Sequence, residues 1–166
     1  MQKKLFPYVD MKIVSLVSQK QKIEWLIGQA RTFDGDQLEL QSHWARYLCI
    51  LVAGFLENAI SEVYASYVKR CSNEQVANYV EAALGKIQNP KAQKFLDTAK
   101  AFNHDWGSCL CTYIEENGRK DAIDSVMSNR HLIAHGKDSG ITLARLDQYF
   151  KKSVEVIEFI ETQCGI

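Results

Sequence analysis

The sequence predicts an all-α bundle with two long helices and several shorter ones, and three observations carry that reading. Apolar residues recur at intervals of three and four, no stretch alternates with period two, and only two prolines, Pro7 and Pro90, interrupt 166 residues. The first is the period of a helix that buries one face, while the missing alternation removes the signature of a half-buried strand. A chain of this length fits one domain whose single core removes roughly 70% of the unfolded surface from water. No Ser/Gly-rich linker, repeat or low-complexity tract marks a second domain. One unit over residues 1–166 is expected, with residues 1–10 as an N-terminal tail.

A first helix is expected from about Met11 to Ala30, with Ile13, Leu16, Val17, Ile23 and Ile27 as candidate core positions, ending before the turn-like TFDGD. The segment from about Asp36 to Arg70 has no proline, and Leu48, Leu51 or Val52, Phe55, Ala59 and Val63 fall on one stripe. It reads as a long amphipathic helix. Ser72 or Asn73 caps a shorter helix reaching Gly85, and Asn89 caps the next with Pro90 in its first position. NHDWGS breaks that helix, a short helical piece follows around Cys111 to Glu116, and Asn117-Gly118 turns the chain.

From about Lys120 a further helix carries Ile123, Val126 and Met127 on its apolar side and meets Gly136 as a left-handed terminator. The last helix begins at Thr142, or at Ser139 before it. Its apolar row is Leu143, Leu146, Phe150, Val154, Ile157 and Ile160, and Arg145, Asp147, Lys151, Lys152, Glu155 and Glu158 supply polar faces.

Composition narrows the function classes. Lys plus Arg and Asp plus Glu number 20 each, so no global field draws the chain to nucleic acid or membrane. A polyanion has to be held by a local patch. The five cysteines (Cys49, Cys71, Cys109, Cys111, Cys164) are odd in number and never spaced as CxxC, which favours reduced thiols over a disulfide framework or zinc knuckle. The opening segment is interrupted by Pro7, Asp10 and Lys12, so no apolar signal core is expected. The most apolar run, Tyr47 to Leu56, stops at Glu57, short of the ~20 residues of a membrane span. A soluble, cytoplasmic protein without membrane partners is expected.

The chemistry concentrates in SNRHLIAHGKDSG, Ser128 to Gly140. Three readings of it stand. Arg130, His131 and His135 can be solvated cations at a helix C-terminus, which favours positive charge. His131 and His135, spaced i,i+4, lie on one face as in HExxH zinc helices, but Leu132 stands where the glutamate would be and no third ligand is adjacent. Or Arg130 and His135 form a site. Five residues at 3.6 per turn separate them by roughly 140° around the axis, so one straight helix cannot aim both at one small ligand. A two-fold pairing of two chains could.

Asn129-Arg130-His131-Leu132-Ile133-Ala134-His135-Gly136 resembles the R-x4-6-H signature of the HEPN superfamily, many of whose members are metal-independent endoribonucleases. VAGFLENAISEVYASYV, QNPKAQKFLD and DSVMSNRHLIAHGKDSGITLARLDQYF, in that order, look like the RiboL-PSP-HEPN branch over roughly Leu40 to Ile160. The resemblance implies a HEPN-like up-and-down bundle that forms a homodimer through the motif helix, with the two motifs facing across a composite cleft. Carried onto this chain, it makes Arg130 and His135 the catalytic pair. His131 takes the polar position after the arginine, where the family more often has asparagine or aspartate; Glu57 matches an acidic position of the long helix; and Asn129 and Lys137 flank the motif as supporting or substrate-positioning residues.

Such a site requires no cofactor or metal. Its 2′-hydroxyl nucleophile must be deprotonated, the phosphorane stabilised and the leaving oxygen protonated. Imidazole exchanges protons near neutral pH, and a guanidinium gives paired donors to phosphate oxygens. Two copies of His135 would serve as base and acid, two of Arg130 as the clamp, and the product would be a 2′,3′-cyclic phosphate. RNA is the implied substrate, with a cognate antitoxin or regulator as a further partner and a toxin, stress or antiviral setting. A non-catalytic HEPN-like dimer that binds RNA, a nucleotide or a partner is the alternative. Lys137, Arg145, Lys151 and Lys152 form a candidate backbone-tracking rim. Trp25, Trp44 and Trp106 are expected in the core rather than stacked on bases.

Overall fold

The computed structural model describes residues 11–33 and 35–166, so the expected tail 1–10 and Asp34 of the TFDGD turn lie outside the described residues. Among the described residues seven α-helices follow one another: α1 (Val14–Ala30), α2 (Leu38–Cys71), α3 (Glu74–Leu84), α4 (Ala92–Phe102), α5 (His104–Glu115), α6 (Arg119–Ala134) and α7 (Leu143–Gln163). Turns of 3₁₀ helix precede α2 and α6, and no strand occurs among the described residues. The all-α bundle read from the sequence is the observed class, with α2 (34 residues) and α7 (21 residues) as its long helices.

At 1.5 Å per residue α2 is about 51 Å long, and α1, α3, α6 and α7 all pack against it. Leu48, Val52, Phe55, Ala59 and Val63 are buried as their spacing predicts. Phe55 meets Phe150 of α7 edge-on, with centroids 5.6 Å apart, a geometry worth about 0.5–1.5 kcal/mol beyond the area it buries. Glu57 does not end the apolar stretch, because Ala59, Ile60 and Val63 continue it. An 18-residue window of α2 is therefore apolar enough to cross a membrane (mean hydropathy 1.5), yet 61% of it is buried inside the bundle. Its neighbouring helices cover that surface.

Three helices, α3, α5 and α7, start on the side-chain oxygen of their own N-cap residue. Asn73 Oδ1 accepts from the Val76 amide at 2.9 Å, and Thr142 Oγ1 from the Arg145 amide at 3.3 Å. Two expected starts move. Asn89 is not a cap: its φ is 48°, and α4 begins two residues beyond Pro90, at Ala92, whose amide is held by Asp124 Oδ1 at 2.8 Å. The helix placed near Cys111 begins at His104, because Asn103 Oδ1 accepts from the amides of Asp105 and Trp106 at 2.8 and 3.3 Å. Asn103 both ends α4 and opens α5. Gly107 lets the two meet, since a Cβ there would lie 2.0 Å from Lys100 Cγ.

Two residues of the expected polar face of α7 are buried. Asp147 receives Arg31 at 2.6 Å and Glu158 receives Lys20 at 3.2 Å. Lys20 comes from α1 and Arg31 from the residue that caps its end, and α1 lies over that side of α7, so a carboxylate there is paired rather than solvated. Trp25, expected in the core, is 62% exposed, while Trp44 and Trp106 pack partly buried against it.

Arg119 fixes the start of the motif helix. Its Nε donates to Glu155 at 2.7 Å, its Nη1 to the Tyr113 carbonyl at 3.1 Å, and its guanidinium lies 3.9 Å from the Tyr113 ring centroid. Burial pushes the Tyr113 hydroxyl up, against the pull of Arg119. This ties α6 to α5 and α7 about 24 Å from the end that carries the candidate site.

Candidate active site

The end of α6 is a Schellman closure. The Gly136 amide donates to the Ile133 carbonyl at 3.0 Å and the Lys137 amide to Leu132 at 2.9 Å, with Gly136 at φ 66°. Both bonds satisfy carbonyls that the helix end would leave bare. His135 is the C-cap residue, with φ −97° and ψ 14°, so its backbone is already leaving the helix when its side chain emerges into solvent.

Arg130 has a different setting. It continues the row of Ile123 and Met127, both buried, and is itself half-buried where that row runs out. Of the six arginines, Arg31, Arg46 and Arg119 bind carboxylates and Arg70 binds the carbonyls of Cys164 and Gly165. Arg145 is exposed. Arg130 is thus the half-buried arginine that has neither ion pair nor hydrogen bond among the described residues. A guanidinium on a half-buried stem with no carboxylate partner is free to take an incoming anion.

His131 lies with His135 rather than with Arg130. Their rings meet edge-on with centroids 4.4 Å apart, as i,i+4 spacing predicts. The described residues contain no group of three or more His, Cys, Asp and Glu side chains placed to share a metal ion. Zinc sites built on two histidines draw at least one more ligand from the protein, and here the pair stands without one.

The remaining sequence-derived candidates separate. The Asn129 amide turns back on its own helix, with Nδ2 donating to the Ser125 carbonyl at 2.8 Å. The Glu57 carboxylate accepts from the backbone amide of Asn89 and makes no ion pair with Arg130. It acts on the loop before α4, and through that loop on the wall beside His131. Lys137 is exposed just past the helix end, where its amide closes the Schellman turn. The basic rim does not hold together: Lys151 pairs with Asp147 at 2.8 Å, and Lys152 Nζ lies against Gly118 at the opposite end of α6. Lys137 follows the motif directly, and Arg145 is exposed in the first turn of α7.

Two contacts around the site were not anticipated. Arg46 of α2 grips Asp138 at 2.5 Å, pinning the loop that leaves the motif. Asn89, Lys91, Met127, Ser128, His131 and Leu132 line an open groove of about 420 Å³, four of them exposed. The signal for the second was the Asn89-Pro90 pair, which marks a turn as readily as a helix cap.

A family model described as RiboL-PSP-HEPN matches residues 16–165. The chain belongs to the RiboL-PSP-HEPN family. The match takes in the whole bundle from α1 to the end of α7, including the arginine and histidine of the motif and the groove beside them. No curated protein and no solved structure matches the chain. Membership in this HEPN family points to an RNase-like or RNA-binding function in general.

Proposed function

We propose that this RiboL-PSP-HEPN protein is a metal-independent endoribonuclease whose site is completed by a second copy of the chain. The observation that carries the reading is the pairing of a partnerless, half-buried Arg130 with a solvent-facing His135 at one helix end. Five residues at 3.6 per turn set the two roughly 140° apart around one helix axis. Two copies of α6 related by a two-fold axis would present two guanidiniums and two imidazoles to one phosphate.

In that cleft the Arg130 pair binds the non-bridging oxygens and stabilises the phosphorane as charge develops. One His135 removes the proton of the 2′-hydroxyl, which attacks the adjacent phosphorus; the other protonates the departing 5′-oxygen. The products are a 2′,3′-cyclic phosphate and a free 5′-hydroxyl. A toxin or antiviral role, held in check by a cognate antitoxin or regulator, and a cytoplasmic site of action accompany this reading.

The test is cleavage of end-labelled RNA in excess EDTA by wild type, Arg130→Ala and His135→Ala proteins shown to be folded and dimeric. Wild type alone should cleave and leave the cyclic phosphate; equal activity in all three sinks the proposal. If no dimer forms, the second reading is a non-catalytic HEPN-like module that binds RNA, a nucleotide or a partner protein. Binding without cleavage across varied RNAs would select it.

A further inference from the structure

The groove beside the motif has no role in the chemistry above. It lies between the loop entering α4 and the face of α6 that carries His131, and its 420 Å³ fall within the range of small-ligand pockets. Met127 and Leu132 give it an apolar floor, and Asn89, Ser128, Lys91 and His131 give it a polar rim.

Its outer wall is fixed from two directions. Glu57 holds the Asn89 amide from α2, and Asp124 holds the Ala92 amide from α6 at 2.8 Å. Between them Pro90 is buried, and Asn89 sits at φ 48°, a left-handed conformation that asparagine tolerates better than most residues. This wall is set without a ligand.

The lining decides what fits: Met127 and Leu132 offer a flat ring apolar contact, and no carboxylate is among the lining residues. Methionine sulfur packs well against aromatic rings. A carboxamide, a hydroxyl and an imidazole together offer donors and acceptors to the edge of a base. Lys91 on the rim is placed for a phosphate outside the pocket.

We propose that this groove is a nucleobase pocket that takes a splayed base of the RNA strand next to the scissile phosphate. It rests on the nuclease reading, since His131 both lines the pocket and contacts His135 at 4.4 Å. A base seated against His131 therefore brings its own ribose toward His135. Reading an unstacked base in a side pocket is how proteins obtain sequence preference from single-stranded RNA. Preference for one base beside the cut follows.

The experiment is calorimetric titration of the protein with the four ribonucleoside 3′-monophosphates and with ribose 5-phosphate, which has no base. At least one nucleotide should bind more than tenfold tighter than ribose 5-phosphate. Ser128→Phe, a change at an exposed position that fills the pocket mouth, should abolish that difference. Asn89→Gly, which keeps the positive φ and removes the carboxamide, should reduce it several-fold and change which base precedes the cut. Equal binding of nucleotides and ribose phosphate, or base-dependent binding unaltered in Ser128→Phe, overturns the pocket. RNA cleavage without base-dependent binding would leave the nuclease reading and remove the pocket; base-dependent binding without cleavage would do the reverse.

Discussion

The imidazoles of His131 and His135 lean on one another, ring centroids 4.4 Å apart, at the point where α6 unwinds into its glycine end. His135 is otherwise exposed and its backbone has left the helix, so this contact is what limits the directions its ring can take. His131→Ala should lower the single-turnover cleavage rate by about 10-fold to 100-fold, the range associated with misplacing a reacting group. His135→Ala should cost about 10²–10⁴, the contribution of a general acid or base. Equal losses in the two variants would contradict a positioning role for His131.

Gly136 should be hard to replace for a reason confined to the backbone. At φ 66°, with nothing within 4 Å of where a Cβ would stand, alanine meets no clash but must adopt the left-handed conformation. Gly136→Ala should destabilise by about 1–2 kcal/mol. Gly28, also in open space but at an ordinary φ inside α1, makes the control. Gly28→Ala should stabilise by about 0.5–1 kcal/mol. Urea denaturation of the two variants checks both signs.

The five thiols should divide by burial. Cys49 and Cys164 are buried, and loss of hydration pushes each up to about 12. At neutral pH neither presents the thiolate that reacts. Cys71 and Cys109 are exposed and Cys111 lies between. Mass spectrometry after brief iodoacetamide treatment of native protein should find label on Cys71 and Cys109, less on Cys111, and none on Cys49 or Cys164 until denaturant is added.

Glu161 should make stability depend on pH. Burial pushes its carboxyl above the usual range, against the amides of Ile13 and Lys12, which donate to it at 3.2 and 3.0 Å. The unfolded chain releases this proton near about 4.3, the folded chain at higher pH, so the native state binds the extra proton in that window. The stability contributed by the protonated form is present below the unfolded value and is lost as pH rises through the folded one. Urea midpoints measured upward from pH 4 should show this fall from Glu161 in wild type and not in Glu161→Gln.

How much of this was legible in the sequence depended on the range of the interaction. Rows such as Leu143 to Ile160, and caps such as Thr142 and Asn73, are local, and they emerged where periodicity put them. The contact of His131 with His135 followed from i,i+4 spacing alone. Asn89 and Asn103 look alike in sequence, each able to cap, and partners 32 residues away on α2 and α6 fixed the Asn89 loop in another conformation. Asp147 and Glu158 read as solvated because their cations lie 116 and 138 residues earlier, at the end of α1 and within it. The pocket required Asn89 and His131 to be neighbours, which no local pattern encodes.

The composite site is tested most directly by following cleavage and association together as the protein is diluted. RNA cleavage per chain in EDTA should fall in step with the dimer fraction measured by analytical ultracentrifugation, because the proposed site needs Arg130 and His135 from two chains on one phosphate. A monomer that cleaves at the full rate per chain would contradict the account.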